Sequence, residues 1–600
     1  MRKRNFLLVT AALATMSLSA QDFILPSAGG TGEALLPSGV TANITQGKNY
    51  ALNKNLTVAG SDAKGYKAYF AADDGTHGEE LWVTDGTAAG TKMVKDIFPG
   101  ATGSNITWIT RFNDKVVFAA TDSEDTGNEV WISDGTEDGT YMVADIHLES
   151  SNPDGFCQLD ETHFVFFAYD YESEMTGDGQ KWLWISDGIY DEDPTDEEGT
   201  HCLAMVDGKY KGTSYDNLYD EVMRVGRKVY FKADVSDKDG VTYGEELWVT
   251  DGTTDGTYMV CDVNKEINSN KSDGSTNGSA LTFMRPAEDG RLIFKAWSEE
   301  TGNEMWITDG TEAGTYCIAD PRPTVDDNNI GKGTDPTMVG RAMYGKIPYR
   351  GYSDEYGNEL IVIDYLNSTY ELYDINTGDG KGGATVNNNS FPDTGQWFDG
   401  KYIFCAQWNG IVADWEESKG GELIVYDPVA KTVSLQSDYA PGATGCNWVK
   451  EPIVVGGSFY WWNEGSLGID NSNTKLHRLD SATGTPCIVS NISADGDGIH
   501  SLRNLNGTLL FGSTKTNNLY SYYYRSDVAD LETNPDVIVM GLDFGDDNSL
   551  IENVVADSKT ISVEYYNIQG QKLNAEPENG FFIKKATKAN GTVQATKIVK

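Results

Sequence analysis

Glu80-Leu81-Trp82-Val83-Thr84-Asp85-Gly86-Thr87, with Gly90-Thr91 close behind, is the stretch that decides the fold. Its centre, Leu-Trp-Val, is a short apolar run without polar alternation, which reads as a strand covered on both faces. Asp85-Gly86 then breaks the strand, because glycine reaches positive φ without steric cost and the Asp side chain can bond the backbone beyond it. The second glycine, Gly90, is expected to fill the left-handed position of a longer hairpin loop. A further strand follows at 91–97, so the stretch is a β-hairpin.

The hairpin recurs. Glu129-Val130-Trp131-Ile132-Ser133-Asp134-Gly135-Thr136, Glu246-Leu247-Trp248-Val249-Thr250-Asp251-Gly252-Thr253 and Glu304-Met305-Trp306-Ile307-Thr308-Asp309-Gly310-Thr311 are full copies, and Leu183-Trp184-Ile185-Ser186-Asp187-Gly188 is a shorter one. Upstream of each lies a β-rich segment (66–72, 115–121, 163–169, 228–233, 291–297), preceded by a weaker one. The unit is therefore four antiparallel strands, A to D, with the motif on C. Strand-level echoes continue at Ile361, Ile424, His477 and Tyr520, which gives nine anchors 43 to 64 residues apart. Four-stranded units at such spacing are the mark of a β-propeller. The expected fold is all-β, a propeller of eight or nine blades spanning 56–545, with a small β module at 546–600.

The repeat resembles that of secreted Bacteroidetes proteins described by the pattern E-L-W-x-x-D-G-T. The resemblance implies an exported propeller and no particular activity. The final residues carry a second resemblance. Asn567-Ile568-Gln569-Gly570-Gln571-Lys572-Leu573, then Asn579-Gly580-Phe581-Phe582-Ile583, then Lys597-Ile598-Val599-Lys600 look like the C-terminal sorting module of the type IX secretion system. That resemblance implies the secretion machinery as a partner and a secreted or outer-membrane surface location. At the other end, Met1-Arg2-Lys3-Arg4, an apolar run to Met16 and Ser17-Leu18-Ser19-Ala20 form a secretory signal peptide over 1–20. Residues 21–55 are either a spacer or a strand that closes the ring.

Composition narrows the partner. Asp plus Glu number 91 against 46 Lys plus Arg, a formal charge of −45, which argues against nucleic acid. No stretch is long and apolar enough to be transmembrane, and a monomer is expected. The seven cysteines show no C-x-x-C spacing and read as buried apolar residues. The six histidines form no H-E-x-x-H, and no G-x-S-x-G elbow is present.

Turn parity places the Asp-Gly-Thr turns on one face, with the acidic B–C loops and the D–A connections on the other. Loops on a rigid scaffold are the usual carriers of function. Asp73, Asp74, Glu79, Asp122 and Asp125 are the candidate ligands for calcium, which takes six to eight oxygens. Trp408, Asp414, Trp415 and Glu416 are the candidate contacts to a glycan or protein ligand. Ser123-Glu124-Asp125-Thr126-Gly127 resembles a sialidase Asp box, which is a structural turn in that family. The sequence thus points to a non-enzymatic binding protein of the cell surface. The alternative is a polysaccharide hydrolase or lyase using channel-facing carboxylates.

Overall fold

In the computed structural model the chain forms two compact units, Met1–Tyr524 and Arg525–Lys600. The residues described are 33–44, 56–147, 149–169, 181–192, 194, 199–203, 222–233, 243–266, 276–323, 331–376, 389–393, 395–407, 421–437, 449–463, 476–489, 498–513, 518–522, 560–567, 572–573, 581–588 and 593–599. The signal segment at 1–20 and the candidates Trp408, Asp414, Trp415 and Glu416 lie outside them. The division at 524/525 comes earlier than the 545/546 boundary that the sequence suggests.

Among the described residues every regular element is a strand, and the first unit holds nine antiparallel sheets in chain order. The second sheet shows the plan. Thr107–Phe112 (A), Lys115–Thr121 (B), Asn128–Ser133 (C) and Thr140–Ala144 (D) pair in sequence. All nine anchors sit on C strands in one register: Trp82 opposite Phe70, Ile361 opposite Tyr349, His477 opposite Trp461, Tyr520 opposite Phe511. The fold is propeller-like.

Each C strand is indeed covered on both faces. Leu81 and Val83 pack toward the second sheet with Val116 and Phe118, whereas Trp82 turns back toward Leu505 and Leu510 of the ninth. Trp131 likewise packs on the first sheet, and Val130 and Ile132 on the third. Nine apolar clusters, one between each pair of successive sheets, carry this pattern around. The ninth joins the last sheet to the first.

The N-terminal segment resolves into strands. Glu33–Ala34 pairs with Asn518–Tyr522 and supplies the ninth sheet with its fourth strand. Leu35 and Leu36 are buried beside it between the ninth and first sheets. Thr41–Ala42 then pairs with Gly65–Asp73 of the first sheet.

The turn after each C strand corrects one expectation. The first glycine is left-handed (Gly86 φ 90°, Gly135 φ 82°, Gly252 φ 87°, Gly310 φ 88°), while Gly90, Gly139, Gly256 and Gly314 are not. A Cβ at Gly139 would lie 2.2 Å from Asp134 Oδ1. The second glycine is there because the Asp carboxylate folds across the turn to accept Thr136 N and Oγ1, at 2.9 and 2.6 Å. These turns also brace the ring, since Lys67 of the first sheet donates to Asp134 O and Tyr141 of the second to Gly188 O of the third.

In the second unit the strands pair in the order Lys572–Leu573, Thr560–Asn567, Phe581–Lys588, Val593–Val599, all antiparallel.

Candidate functional site

The glutamate that opens the motif is not a rim ligand. Glu80, Glu129, Glu246, Glu304, Glu359 and Glu422 are all buried, at 0 to 1% exposure. In five sheets the carboxylate reaches a Ser or Thr in the D–A connection: Ser104, Ser151, Ser279, Thr334 and Ser390, whose hydroxyls donate at 2.5 to 2.7 Å. In four of these it also accepts an amide from the end of the D strand, from Ile97, Ile146, Val263 or Ile375. The carbonyl of each Ser or Thr then accepts from the B strand of the next sheet, as Ser151 O does from Tyr169 N. Each of these five glutamates therefore ties its own sheet to the B strand of the following one.

Burial dominates the electrostatics of these groups. It pushes Glu80 up to about 7 and Glu129, Glu246 and Glu359 up to about 8, against the opposing effect of the hydrogen bonds. An aspartate at the D-strand exit adds to the rise in each: Asp96, Asp145, Asp262 and Asp374. Asp374 is itself pushed up to about 6 by burial and by Glu355. These carboxylates hold the ring together.

Four of the five calcium candidates are occupied locally. Asp73 Oδ1 accepts Gly75 N at 2.7 Å, and Asp74 Oδ1 accepts Thr76 N and His77 N at 2.8 and 2.9 Å. Those bonds, with the His77 ring against Oδ2, hold Asp74 down at about 2. Glu79 Oε2 accepts Asn43 Nδ2 at 2.7 Å, Asp122 accepts the Thr126 hydroxyl, and Asp125 is exposed. Among the described residues no group of three or more His, Cys, Asp or Glu is placed to hold a metal ion. The Asp-box-like segment is a hydroxyl turn, with Thr126 N bonded to Ser123 Oγ at 3.2 Å, and Ser298–Thr301 repeats it.

The feature the sequence does not announce is on the A strands. Successive A strands touch one another, so they lie innermost. Arg111 Nη2 donates to Gly60 O at 2.9 Å, Arg503 Nε to Leu56 O at 2.7 Å and Thr57 Oγ1 to Ile109 O at 2.7 Å, each across a sheet boundary. In the second, third, fifth, eighth and ninth sheets the A–B register shifts near the start of the A strand. The shifts coincide with left-handed backbone at Trp108 (φ 57°), Gly155 (φ 60°), Phe283 (φ 55°), Glu451 (φ 45°) and Ser501 (φ 55°). The sixth sheet carries Met338 (φ 50°) at the matching place. Four of these six are bulky or charged residues in a conformation that costs roughly 1–3 kcal/mol each. The bulges lie at the end of the A strands that meets the D–A connections, on the face opposite the Asp-Gly-Thr turns.

No protein-family model matches the chain, and no curated protein sequence does. Solved structures do. A prolyl endopeptidase structure matches at 9% identity and TM-score 0.33, covering 81% of this chain and 54% of its own. A puromycin hydrolase matches at 12% and 0.28, covering 68% and 58%. Prolyl oligopeptidase B from Galerina marginata, bound to a 35mer hydrolysis and macrocyclization substrate, matches at 9% and 0.34, covering 66% and 53%. The chain spans about half the length of each. The likeness is one of fold. The proteins matched are peptidases and a hydrolase, against the non-enzymatic binding protein expected from the sequence; at these TM-scores the match assigns this chain no activity.

Proposed function

We propose that the chain is an exported nine-bladed propeller that handles a substrate at the axial mouth on its loop face. The observation that carries this reading is the ring of left-handed bulges on the inner strands. Nine clusters and a closing N-terminal strand make the scaffold stiff enough to over-determine such strained residues, and bulges concentrate where a sheet aims side chains at a site. The opposite face carries the Asp-Gly-Thr turn in four sheets, each closed by its own Asp and Thr side chains.

Export rests on the basic and apolar first 20 residues and on the tail, whose four-stranded sheet carries the sorting-like motifs. We assign the mature protein to the cell surface or medium, with the secretion machinery as its partner in transit.

The test incubates the full chain with hydrolysable polysaccharides and peptides and follows product release and binding. Phe283→Gly, at the axis, should lower kcat/KM or affinity, while Asp134→Ala, on the turn face, should leave both intact. Loss with the turn variant and none with the axial one would overturn the reading.

A further inference from the structure

Pairing register exposes a charge pattern that the sequence hides. The B-strand residue opposite the Leu, Val or Met that follows the motif position of Glu is Ala71, Ala119, Phe167, Cys405, Trp462 and Gly512 in six sheets. In the fourth, fifth and sixth sheets, which are consecutive, it is Lys232, Lys295 and Arg350. The A and B strands of the fourth and fifth sheets and the B strand of the sixth carry seven Lys or Arg and no Asp or Glu. In a chain of formal charge −45 such a sector is not a product of composition.

Lys232, 8% exposed, is next to last in its strand, while Lys295 and Arg350 lie mid-strand opposite Thr282 and Thr337, where the fifth and sixth sheets begin. Their cross-strand partners Leu247, Met305 and Leu360 pack toward the next sheet, and cross-strand pairs share a face. The Lys295 ammonium accordingly meets Asp335, at the start of the sixth sheet, at 2.6 Å. Asp335 is the left-handed residue three before Met338, and its side chain is 62% exposed. Lys232 meets Glu245 at 3.4 Å. Arg350 Nε donates to Thr337 Oγ1 at 2.9 Å, and among the described residues no carboxylate lies within ion-pair distance of it. Burial lowers the Arg350 pKa while Asp393 opposes that, and Asp393 is drawn to Lys450 of the eighth sheet at 3.6 Å. The Asp335 side chain is exposed while that of Lys295 is only 13% exposed, so an incoming oxyanion would have to displace Asp335 from the ammonium. Arg350 offers a planar fork matched to a carboxylate or sulfate.

We infer that Lys232, Lys295 and Arg350 form an anion subsite at the axial mouth, for a ligand bearing carboxylate or sulfate groups. This rests on the axial reading above and names the chemistry of its substrate.

The experiment measures binding of the full chain to polygalacturonate, dextran sulfate and uncharged dextran at 50 and 200 mM salt, with EDTA present. Retention of an anionic polymer that weakens with salt is expected, and the polymer retained says whether carboxylate or sulfate is the natural group. Lys295→Met with Arg350→Met should weaken that binding about tenfold or more at unchanged melting temperature. Lys295→Arg with Arg350→Lys should restore most of it, which a lost fold would not allow. Lys401→Met, a B-strand base of the seventh sheet paired with Asp427, should change nothing. Equal binding by the double Met variant, or equal loss with Lys401→Met, would overturn the subsite. Turnover or retention of uncharged polymer alone would overturn it too, while leaving the axial reading in place. Failure of every polymer and of Phe283→Gly to affect any activity would remove both.

Discussion

Ser151 meets Glu129 twice: its hydroxyl donates to Oε2 and its amide to Oε1, both at 2.6 Å. One carboxylate in the second sheet thereby fixes the residue from which the third sheet starts, because Ser151 O accepts Tyr169 N. Removing the carboxylate leaves two buried amides and a hydroxyl without an acceptor, and such groups are expensive to strand. Glu129→Ala should cost about 2–4 kcal/mol and Ser151→Ala about 1–2. Denaturant unfolding of the purified chain checks both. Equal, negligible shifts would mean that the staple is dispensable.

The same staples set a pH dependence. A carboxyl whose folded pKa is raised contributes stability that is complete below its unfolded value, near 4.5, and is lost as pH rises through the folded value. With Glu80 at about 7 and Glu129, Glu246 and Glu359 at about 8, that loss begins near pH 4.5 and is essentially complete by about pH 8. Asp74, held at about 2, acts in the opposite sense only in strong acid. His500, buried and lowered to about 4, costs stability as pH falls below 6.5 and so opposes the carboxyl trend in the lower part of the window. The melting temperature should therefore decline from pH 6.5, above the His500 effect, to about pH 8, and Glu359→Gln should flatten part of the decline. A flat profile across that range would show the staples to be ionised throughout.

The two glycines of the turn have different reasons, and a double-mutant cycle separates them. Gly139→Ala drives a methyl into the Asp134 carboxylate, 2.2 Å away, whereas Gly135→Ala meets a positive φ of 82°. Asp134→Ala should rescue much of the Gly139 loss and none of the Gly135 loss, with a coupling of about 1–2 kcal/mol for the first pair. Thermal melts of the three single and two double variants decide it.

Much of the ring was legible. Leu-Trp-Val without polar alternation does mean burial on both faces, since Trp131 and its neighbours Val130 and Ile132 serve different sheets. Even His477 keeps the place of the Trp, stacked on Trp461 at 5.4 Å. The staple was not legible because the hydroxyl partner stands at no fixed distance from the glutamate. Ser104 follows Glu80 by 24 residues and Ser279 follows Glu246 by 33, as the D–A connections differ in length. Gly90 misled because a glycine can be required by a neighbour's side chain as well as by φ. The basic sector was hidden for a related reason, since Lys232, Lys295 and Arg350 share a register that exists only once strands are paired.

Closure of the ring yields the last prediction. Glu33 and Ala34 pair with Ser521 and Tyr520, and Leu35 N donates to Leu519 O at 2.8 Å. Leu35 and Leu36 are 1% and 7% exposed among residues of the first and ninth sheets. The first and last sheets are thus held by a strand from the far end of the chain, as well as by Arg503 reaching Leu56 O. Leu35→Asp places a charge in that cluster without touching any other sheet, at a cost of several kcal/mol. Limited proteolysis should then cut first within 498–522, and the first sheet should follow, while the fourth and fifth sheets stay protected in hydrogen exchange. Uniform loss of protection around all nine sheets would mean that the ring opens as one cooperative unit and not at the seam.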